Sequence, residues 1–200
     1  MKVITFAMSP RTGGNSETLL DEVIAGLHDG GIDTEKIRTH EAAIEPCRHC
    51  GACQKTGRCV IEDSFQDISA RLVACAGVVF ASPLFFMNVP ARGKALIDRC
   101  QSFWAARYQL GIDLFGTKKR HGLLVSCGAQ HHGPDNADLF RGVQDTFWAV
   151  FRALAVEPME PILIPGVERF GAVGELPDVM RQARLAGGEM ARRIAAGEKS

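Results

Sequence analysis

The sequence predicts an α/β fold in which helices cover both faces of a five-stranded parallel sheet. Short runs rich in β-branched residues alternate with longer segments whose apolar residues recur at helical spacing, and this alternation is typical of parallel sheets. The chain has 200 residues, 46% of them hydrophobic, which is enough to bury a core without disulfides or a metal. No linker divides it, so we expect a single domain over residues 1–200.

One amphipathic helix is predicted between the first and second strands. Residues 2–8 form an apolar run that predicts the first strand. The helix predicted over residues 17–27 repeats Leu, Val and Ile on one face and ends before Gly30-Gly31. A second strand is predicted at residues 34–38.

The remaining elements continue the alternation. Apolar periodicity predicts further helices at residues 65–74, 91–103, 137–155 and 177–196. Short apolar runs predict the third, fourth and fifth strands at residues 77–81, 123–126 and 161–164. Residues 109–120 are predicted to form a surface excursion that ends in a solvated charge run, Lys118-Lys119-Arg120.

Four cysteines lie within thirteen residues, in an insertion at about residues 44–63; they are Cys47, Cys50, Cys53 and Cys59. This spacing favours one compact bound group that all four sulfurs can contact. An iron-sulfur cluster fits best, because a single loop can wrap it and the last cysteine, after a turn at Gly57, can close the cage. Zinc remains an alternative, although zinc ribbons usually separate their Cys pairs by roughly 15–20 residues. Reduced structural thiols, or a disulfide pair, are the third interpretation.

The loop after the first strand is predicted to bind a phosphate. It runs directly from strand to helix, where free backbone N–H groups favour an anion. Its candidate ligands are Ser9, Arg11, Thr12, Gly14, Asn15 and Ser16. Neither a Walker A motif nor a Gly-x-Gly-x-x-Gly fingerprint is present, so a terminal monophosphate, as in FMN, fits better than ATP or a dinucleotide. The alternative is that Asn15 or Ser16 only caps the helix.

The loops after the third and fourth strands are predicted to line the same ligand, because ligands of such sheets collect at the strands' carboxyl ends. The candidates are Ser82, Pro83, Leu84, Phe85, Phe86 and Asn88 in one loop and Ser126, Cys127 and Gly128 in the other. Exposed aromatic side chains would suit a planar isoalloxazine, and we expect one of the two phenylalanines to pack into the core instead. The adjacent histidines His131 and His132 are interpreted as polar surface rather than as proton donors.

Charge and hydropathy exclude several classes of protein. The chain balances 23 basic against 23 acidic residues, which predicts neither a nucleic-acid partner nor an acidic membrane surface. No stretch approaches the ~20 apolar residues of a membrane span, and the N-terminal apolar run is too short for a signal peptide. We expect a cytoplasmic protein with reduced cysteines, of which Cys75 and Cys100 pack in the core.

Together, these segments resemble the iron-sulfur flavoprotein branch of the NAD(P)H-dependent FMN reductases over roughly residues 1–130. The resemblance is carried by residues 9–16, the cysteine loop with residues 60–63, residues 82–86 and the helical motif Lys94 to Arg99. It implies a flavodoxin-like three-layer sandwich, FMN on the first, third and fourth loops, and a [4Fe-4S] cluster on the second. It also implies a homodimer or homotetramer. Many relatives have Tyr where this chain has Phe85, so that side chain offers no hydroxyl.

The function predicted from these features is that of an FMN-dependent oxidoreductase, an iron-sulfur flavoprotein that passes electrons between a [4Fe-4S] cluster and FMN. Its electron donor would be NAD(P)H as co-substrate or a ferredoxin, and its substrate a small redox molecule. A first alternative is an NAD(P)H-dependent FMN or quinone reductase without a cluster. A second is a flavodoxin-type carrier or a redox sensor, although such carriers are usually strongly acidic and this chain is neutral.

Overall fold

A computed structural model of the protein describes residues 2–131, 138–169 and 171–197. Its strands are β1 (Lys2–Ala7), β2 (Asp33–Arg38), β3 (Gly77–Pro83), β4 (His121–Cys127), β5 (Glu157–Pro158) and β6 (Ile162–Ile164). All pairings are parallel, in the order β2-β1-β3-β4-β5, and β6 also pairs with β4. This order confirms the flavodoxin-like fold and reverses direction between β1 and β3, where such sheets bind ligands.

Helices cover both faces of the sheet. They are α1 (Asn15–Asp29), α2 (Cys53–Thr56), α3 (Ser64–Ala74), α4 (Ala91–Arg99), α5 (Gln101–Trp104), α6 (Arg141–Ala153) and α7 (Pro177–Gly197). A π-helical turn, Ala105–Gln109, extends α5, and a 3₁₀ turn, Ala172–Glu175, precedes α7. Helices α1 and α7 share one core with the sheet, and α3, α4 and α6 share the other.

The two cores follow from the alternation of side chains along the strands. In β1, Val3 and Ala7 face α1 and α7, whereas Ile4 and Phe6 face the opposite layer. On that side the ring of Phe80 stacks on Phe6 with the centroids 4.9 Å apart. The sheet is therefore buried on both sides, which holds the ends of β1, β3 and β4 in fixed relative positions.

The observed elements differ from the predicted ones in two places. The predicted fifth strand, residues 161–164, is observed as β6, and a short strand that was not predicted, β5, precedes it. Pro158 and Pro161 lack the N–H that one continuous ladder would require. The predicted helix over residues 91–103 ends at Arg99, and α5 begins two residues later. The predicted start of α6 at residue 137 lies outside the described residues, and the helix is observed from Arg141.

The predicted solvated charge run is wrong at Arg120, which is 3% exposed. Its Nε donates to the carbonyl oxygen of Cys75 at 2.9 Å, and its terminal nitrogens donate to the carbonyls of Leu72 and Leu154. The guanidinium also lies 4.5 Å from the ring centre of Phe115. Arg120 therefore ties together α3, the start of β4 and the end of α6.

Other predictions agree with the structure. The predicted core cysteines Cys75 and Cys100 are both buried, and Gly57 forms the expected turn with a φ of 72°. Within the described part of the chain, no helix combines the length and apolar character needed to cross a membrane.

Candidate functional site: a cleft at the strand ends and a cysteine cavity

The loops after β1, β3 and β4 meet in one cleft. Its inner part is a cavity of about 170 Å³ lined by Ser9, Arg11, Gly14, Asn15, Ser16, Pro83, Leu84, Phe85, Cys127, Gly128, Ala129, Val167 and Glu168. An adjoining cavity of about 450 Å³ is lined by Leu84, Phe86, Met87, Gly128, Ala129, Gln130 and Leu139. The sequence-predicted residues of three separate loops are thus brought together at the reversal in strand order.

The inner end of the cleft is the N-terminus of α1. Gly14 stands at the N-cap position and no side chain caps the helix there. The first N–H groups of the helix have no carbonyl partner within it, so they can donate to an anion. The hydroxyls of Ser9 and Ser16 lie at the same end, and Arg11 brings a positive charge.

A buried carboxylate holds this loop in shape. Glu17, 2% exposed, accepts the N–H of Gly13 at 2.9 Å and is paired with Lys36 and Arg38. Burial alone raises the pKa of Glu17, but the Gly13 hydrogen bond, Lys36 and Arg38 outweigh it and lower the pKa. The carboxylate is therefore ionised at neutral pH and fixes the turn before α1.

The side chain of Asn15 has partners within the protein. Its Nδ2 donates to the carbonyl oxygens of Val167 and Arg169, at 3.3 and 2.9 Å. Its Oδ1 accepts the N–H of Val173 at 3.3 Å. The amide therefore ties α1 to the loop after β6, and the group of Asn15 left to face a phosphate is its backbone N–H.

The loop after β3 ends in a tight two-residue turn. Phe85 and Asn88 exchange both backbone hydrogen bonds, at 2.8 and 3.0 Å. Phe86 and Met87 between them have φ values of 49° and 62°, in the left-handed region that non-glycine residues avoid. The Phe86 side chain is fully exposed and Phe85 is 47% exposed. The expectation that one of these phenylalanines packs into the core is therefore wrong.

Four predicted site residues do not line the cleft. Ser82 and Ser126 are fully buried beneath it, and the hydroxyl of Ser126 donates to the Ser82 carbonyl at 3.0 Å. Asn88 uses its amide to hold the turn against α6, donating to the hydroxyl of Thr146 at 3.2 Å. Thr12 is an exposed residue of the first loop.

Cys127 lines the cleft with a buried side chain. Burial raises the pKa of its thiol to about 12, so the group stays protonated and unreactive at neutral pH. Its carbonyl accepts the N–H of Leu84 at 2.9 Å. Cys127 and Gly128 therefore shape the cleft wall mainly through backbone.

Several residues that line the two cavities were not among the predicted ones: Ala129, Val167 and Glu168 in the inner cavity, and Met87, Gln130 and Leu139 in the outer one. Val167 and Glu168 lie in the loop after β6 and face the inner cavity, although they follow too short a strand for a clear sequence signal. Asn15 holds this loop in place. Of the histidine pair, His131 packs its ring against Gly166 in the same region, and His132 lies outside the described residues.

The predicted cysteine ligands line a second cavity, of about 380 Å³. Its wall includes Cys47, Cys50, Cys53 and Cys59, together with the end of α4 at Asp98 and Arg99. Cys47 and Cys50 are exposed, whereas Cys53 and Cys59 are partly buried. In the described parts of the chain, no group of three or more Cys, His, Asp or Glu side chains is placed to hold a single metal ion.

Left-handed backbone lets this loop curl around its cavity. His49, Gly51 and Gly57 have φ values of 52°, 73° and 72°. The His49 N–H donates to the Sγ of Cys47 at 3.5 Å. Beyond the last cysteine, the side chain of Gln66 donates to the carbonyls of Cys59 and Ile61 at 2.9 and 2.8 Å. The exit of the loop is thereby fixed to α3.

The four thiols influence one another. Burial raises the pKa of the Cys53 thiol, and the neighbouring sulfurs of Cys59, Cys47 and Cys50 raise it further. Gathering several thiolates in one place is unfavourable without a cation, and binding of a metal centre would displace the protons. Deprotonated, the four thiols would form a donor set that a metal centre could use.

Two sequence comparisons identify relatives. A model of the NADPH-dependent FMN reductase family matches residues 1–140. An iron-sulfur flavoprotein of Methanosarcina thermophila is 30% identical over 133 residues, which cover 66% of this chain and 66% of that protein. One from Methanocaldococcus jannaschii is 32% identical over 133 residues, covering 66% of this chain and 65% of that protein. Each match spans just under two thirds of the relative's own length.

Solved structures share the fold at low sequence identity. An NAD(P)H:quinone oxidoreductase from Methanothermobacter marburgensis matches with a TM-score of 0.70 over 94% of both chains, at 14% identity. An archaeal flavodoxin matches with a TM-score of 0.58, covering 98% of this chain and 99% of that one, at 11% identity. The cleft at the strand ends agrees with the match over residues 1–140: the chain belongs to the NADPH-dependent FMN reductase family.

Proposed function

We propose that the protein is an FMN-dependent oxidoreductase in which a [4Fe-4S] cluster and FMN exchange electrons. The observation that carries this proposal is the convergence of three strand-end loops on one cleft at the uncapped start of α1, in a chain of the FMN reductase family. The cysteine cavity supports the second half of the proposal.

The inner end of the cleft would hold the FMN phosphate. The N–H groups at the start of α1 would donate to it, and the hydroxyl of Ser16 would add a further hydrogen bond. The hydroxyl of Ser9 donates to the carbonyl of Arg11 at 3.1 Å and shapes the loop around the phosphate site. Arg11 supplies the compensating charge. Glu168 is an acceptor rather than a donor, so its carboxylate suits the hydroxyls of the ribityl chain better than the phosphate.

The outer end of the cleft would hold the isoalloxazine ring. Leu84 and Phe85 offer apolar contact, and the small residues Gly128 and Ala129 beside Leu84 let backbone approach the ring. When bound, FMN accepts two electrons and can release them singly. Phe85 carries no hydroxyl, so this side chain orients the ring and does not move protons.

The cysteine cavity would hold the cluster through Cys47, Cys50, Cys53 and Cys59. Four thiolates are the usual ligands of a [4Fe-4S] cluster. A single zinc would need their sulfurs about 2.3 Å from one point. Zinc ribbons usually separate their Cys pairs by roughly 15–20 residues, whereas these four cysteines lie within thirteen. This spacing supports the cluster over the ion.

The remaining partners are proposed from the surroundings of the cleft. The outer cavity of about 450 Å³ beside Phe86 has room for a small redox substrate or for the nicotinamide of NAD(P)H; a ferredoxin is the alternative donor. All seven cysteines are unpaired, which supports a reducing, cytoplasmic location. The homodimer or homotetramer implied by the resemblance remains part of the proposal.

Quantitative analysis of anaerobically purified protein tests this function. We expect one flavin, about four irons and about four sulfides per chain. Denaturation should release the flavin, and it should be identified as FMN. Cys53→Ala should lose the iron and keep the flavin. Cys75→Ala removes a buried thiol remote from the cavity and should keep both, which makes it the matched control.

Two other outcomes would contradict part or all of the proposed function. Flavin without iron or sulfide would contradict the cluster and support an NAD(P)H-dependent FMN or quinone reductase. Purified chain that fails to bind added FMN would contradict the proposed function as a whole.

A further inference from the structure

Arg99 is the largest fully buried side chain of the described residues, with none of its side chain exposed. Every one of its N–H groups has a partner. Nε donates to the Sγ of Cys59 at 3.0 Å, and the terminal nitrogens donate to the carbonyls of Glu45 and Ile61, at 2.9 and 3.0 Å. They also form a two-point pair with the carboxylate of Asp63, at 2.8 and 3.2 Å. Burying a guanidinium carries a large desolvation free energy. The complete set of partners offsets it, which indicates that Arg99 has a specific structural role.

The first part of that task is to close the base of the cysteine loop. Glu45 precedes the first cysteine, and Ile61 and Asp63 follow the last. Asp63 in turn accepts the N–H of Glu45 at 2.8 Å and that of Phe65 at 2.9 Å. One guanidinium from α4 therefore holds the entry and the exit of the loop at a fixed separation. A lysine could not replace it, because an ammonium lacks the planar fork that serves several acceptors at once.

The second part concerns the sulfur of Cys59. The Arg99–Asp63 pair is neutral overall, but Asp63 contacts the terminal nitrogens, so Nε presents its positive end to the sulfur. The contact is part-buried, so the dipole is screened less than it would be at an exposed site. Of the four cysteine sulfurs, that of Cys59 receives this contact, while Cys47 and Cys50 are exposed.

We propose that Arg99 is a positioning residue that raises the reduction potential of the cluster through its N–H contact with the sulfur of Cys59. This inference rests on the proposed function, because it needs a cluster on the cysteine loop. One-electron reduction adds a negative charge to the centre, and a donor or positive dipole at a ligand sulfur stabilises the reduced form relative to the oxidised form. Arg99 thus favours transfer of an electron onto the cluster.

A set of variants separates tuning from simple loop closure. Arg99→Gln and Arg99→Lys are compared with the wild type for iron per chain and for midpoint potential, followed by electron paramagnetic resonance in a redox titration. We expect Arg99→Gln molecules that keep iron to titrate at a lower potential, with Arg99→Lys in between. Arg58→Gln removes an exposed arginine next to Cys59 in sequence and should leave the potential unchanged.

A measurement on the wild-type protein tests the same contact without a substitution, so it does not depend on whether the variants fold. Protein made with arginine labelled with ¹⁵N at Nε is reduced and studied by pulsed electron paramagnetic resonance. A coupling between the cluster spin and a labelled nitrogen is expected, and it should be absent from a sample whose arginine is unlabelled.

The outcomes for the two proposals are distinct. Iron-loaded wild type without the coupling, or an iron-loaded Arg99→Gln variant with the wild-type potential, overturns the role of Arg99 and leaves the proposed function intact. Wild-type protein that holds flavin but no iron overturns the cluster and this inference with it.

Discussion

At the residue scale, the inner end of the cleft, where we propose that the FMN phosphate binds, depends on a side chain that does not line it. Glu17 accepts the N–H of Gly13 and pairs with Lys36 and Arg38 from β2. The turn before α1 is therefore held by a carboxylate on one side, which leaves the N–H groups of the helix start free on the other. A change at Glu17 should act on FMN binding through the shape of this turn.

Glu17→Gln is expected to weaken FMN binding and to lower the free energy of unfolding by about 1–3 kcal/mol at neutral pH, because two cations lose their partner. Asp21→Asn removes the exposed carboxylate that also pairs with Lys36 and should have little effect on either. Flavin titration and urea unfolding measure the two quantities. Unchanged flavin affinity in Glu17→Gln would show that the turn does not need this carboxylate.

The same variant has a predictable pH dependence. Because the pKa of Glu17 is lowered in the folded protein, its contribution to stability is present above the ordinary carboxyl pKa and is lost as the pH falls through the lowered value. The difference in unfolding free energy between wild type and Glu17→Gln should therefore shrink below about pH 4. A difference that grows on acidification would contradict the direction of the shift.

The residue types in the sequence predicted the candidate ligands but not the contacts that each side chain makes in the folded protein. The hydroxyls of Ser9 and Ser16 and the four cysteines line their predicted cavities. The amide of Asn15, by contrast, bonds to a loop more than 150 residues away, and such a long-range partner leaves no local pattern. Arg120 looked solvated beside two lysines because burial of an arginine depends on carbonyls that only tertiary structure assembles.

At the element scale, the turn of Phe86 and Met87 combines backbone strain with exposed apolar side chains. Left-handed backbone costs roughly 1–2 kcal/mol for each non-glycine residue, and Asn-Gly is the pair that suits such a two-residue turn. Phe86→Asn combined with Met87→Gly should therefore stabilise the flavin-free protein by about 1 kcal/mol. It should also weaken flavin or substrate binding, since a ring at the mouth of the cleft is lost.

Urea unfolding and flavin titration test both halves of this prediction. Leu185→Asn removes an exposed leucine from α7, on the opposite layer, and should leave flavin binding as it is. A double variant that is more stable and yet binds flavin and turns over substrate normally would show that the strained turn serves neither.

The contact between α1 and α7 depends on glycine at one position. A Cβ on Gly187 would lie 2.1 Å from the carbonyl oxygen of Val23, whereas one on Gly188 would be 3.9 Å from its nearest neighbour. Gly187→Ala should therefore destabilise the protein by at least about 3 kcal/mol, as expected for overpacking against backbone. Gly188→Ala should be neutral or stabilise by about 0.5–1 kcal/mol. Equal unfolding free energies for the two variants would contradict this packing.

Element positions followed closely from hydrophobic periodicity. The strands and helices occur where predicted, because both faces of the sheet are covered and each buried run is continuous. The elements that were not predicted are short: α2, β5 and the π-helical turn after α5. The helix predicted over residues 91–103 is also interrupted at Cys100. Hydrophobic periodicity does not predict the π-helical turn, because the five residues of this turn are too few to show a repeat.

At the scale of the whole molecule, the two ends of the sheet have separate roles. The cleft lies at the carboxyl ends of the strands, whereas Arg120 lies just before β4, at the amino ends. The expected single domain with a cysteine-loop insertion stays a prediction. So does the oligomer, because oligomeric state depends on surface complementarity, which no pattern along one chain defines.

Arg120→Met is expected to lower the free energy of unfolding by roughly 3 kcal/mol, because three buried carbonyls lose their donor. FMN affinity per folded molecule should not change, since the cleft is at the other end of the sheet. Lys119→Met alters the neighbouring side chain, which is 70% exposed, and should be nearly neutral. Loss of flavin affinity in folded Arg120→Met would contradict the separation of the two ends.

The closed base of the cysteine loop has a consequence for the history of the family. Ser64 donates its N–H to the carbonyl of Ala43 at 3.1 Å, so the chain leaves and rejoins the fold at almost the same place. A segment with adjoining ends can be acquired or discarded in one event without rethreading the sheet around it. The cysteine segment can therefore be exchanged for another loop while the order and pairing of the strands stay the same.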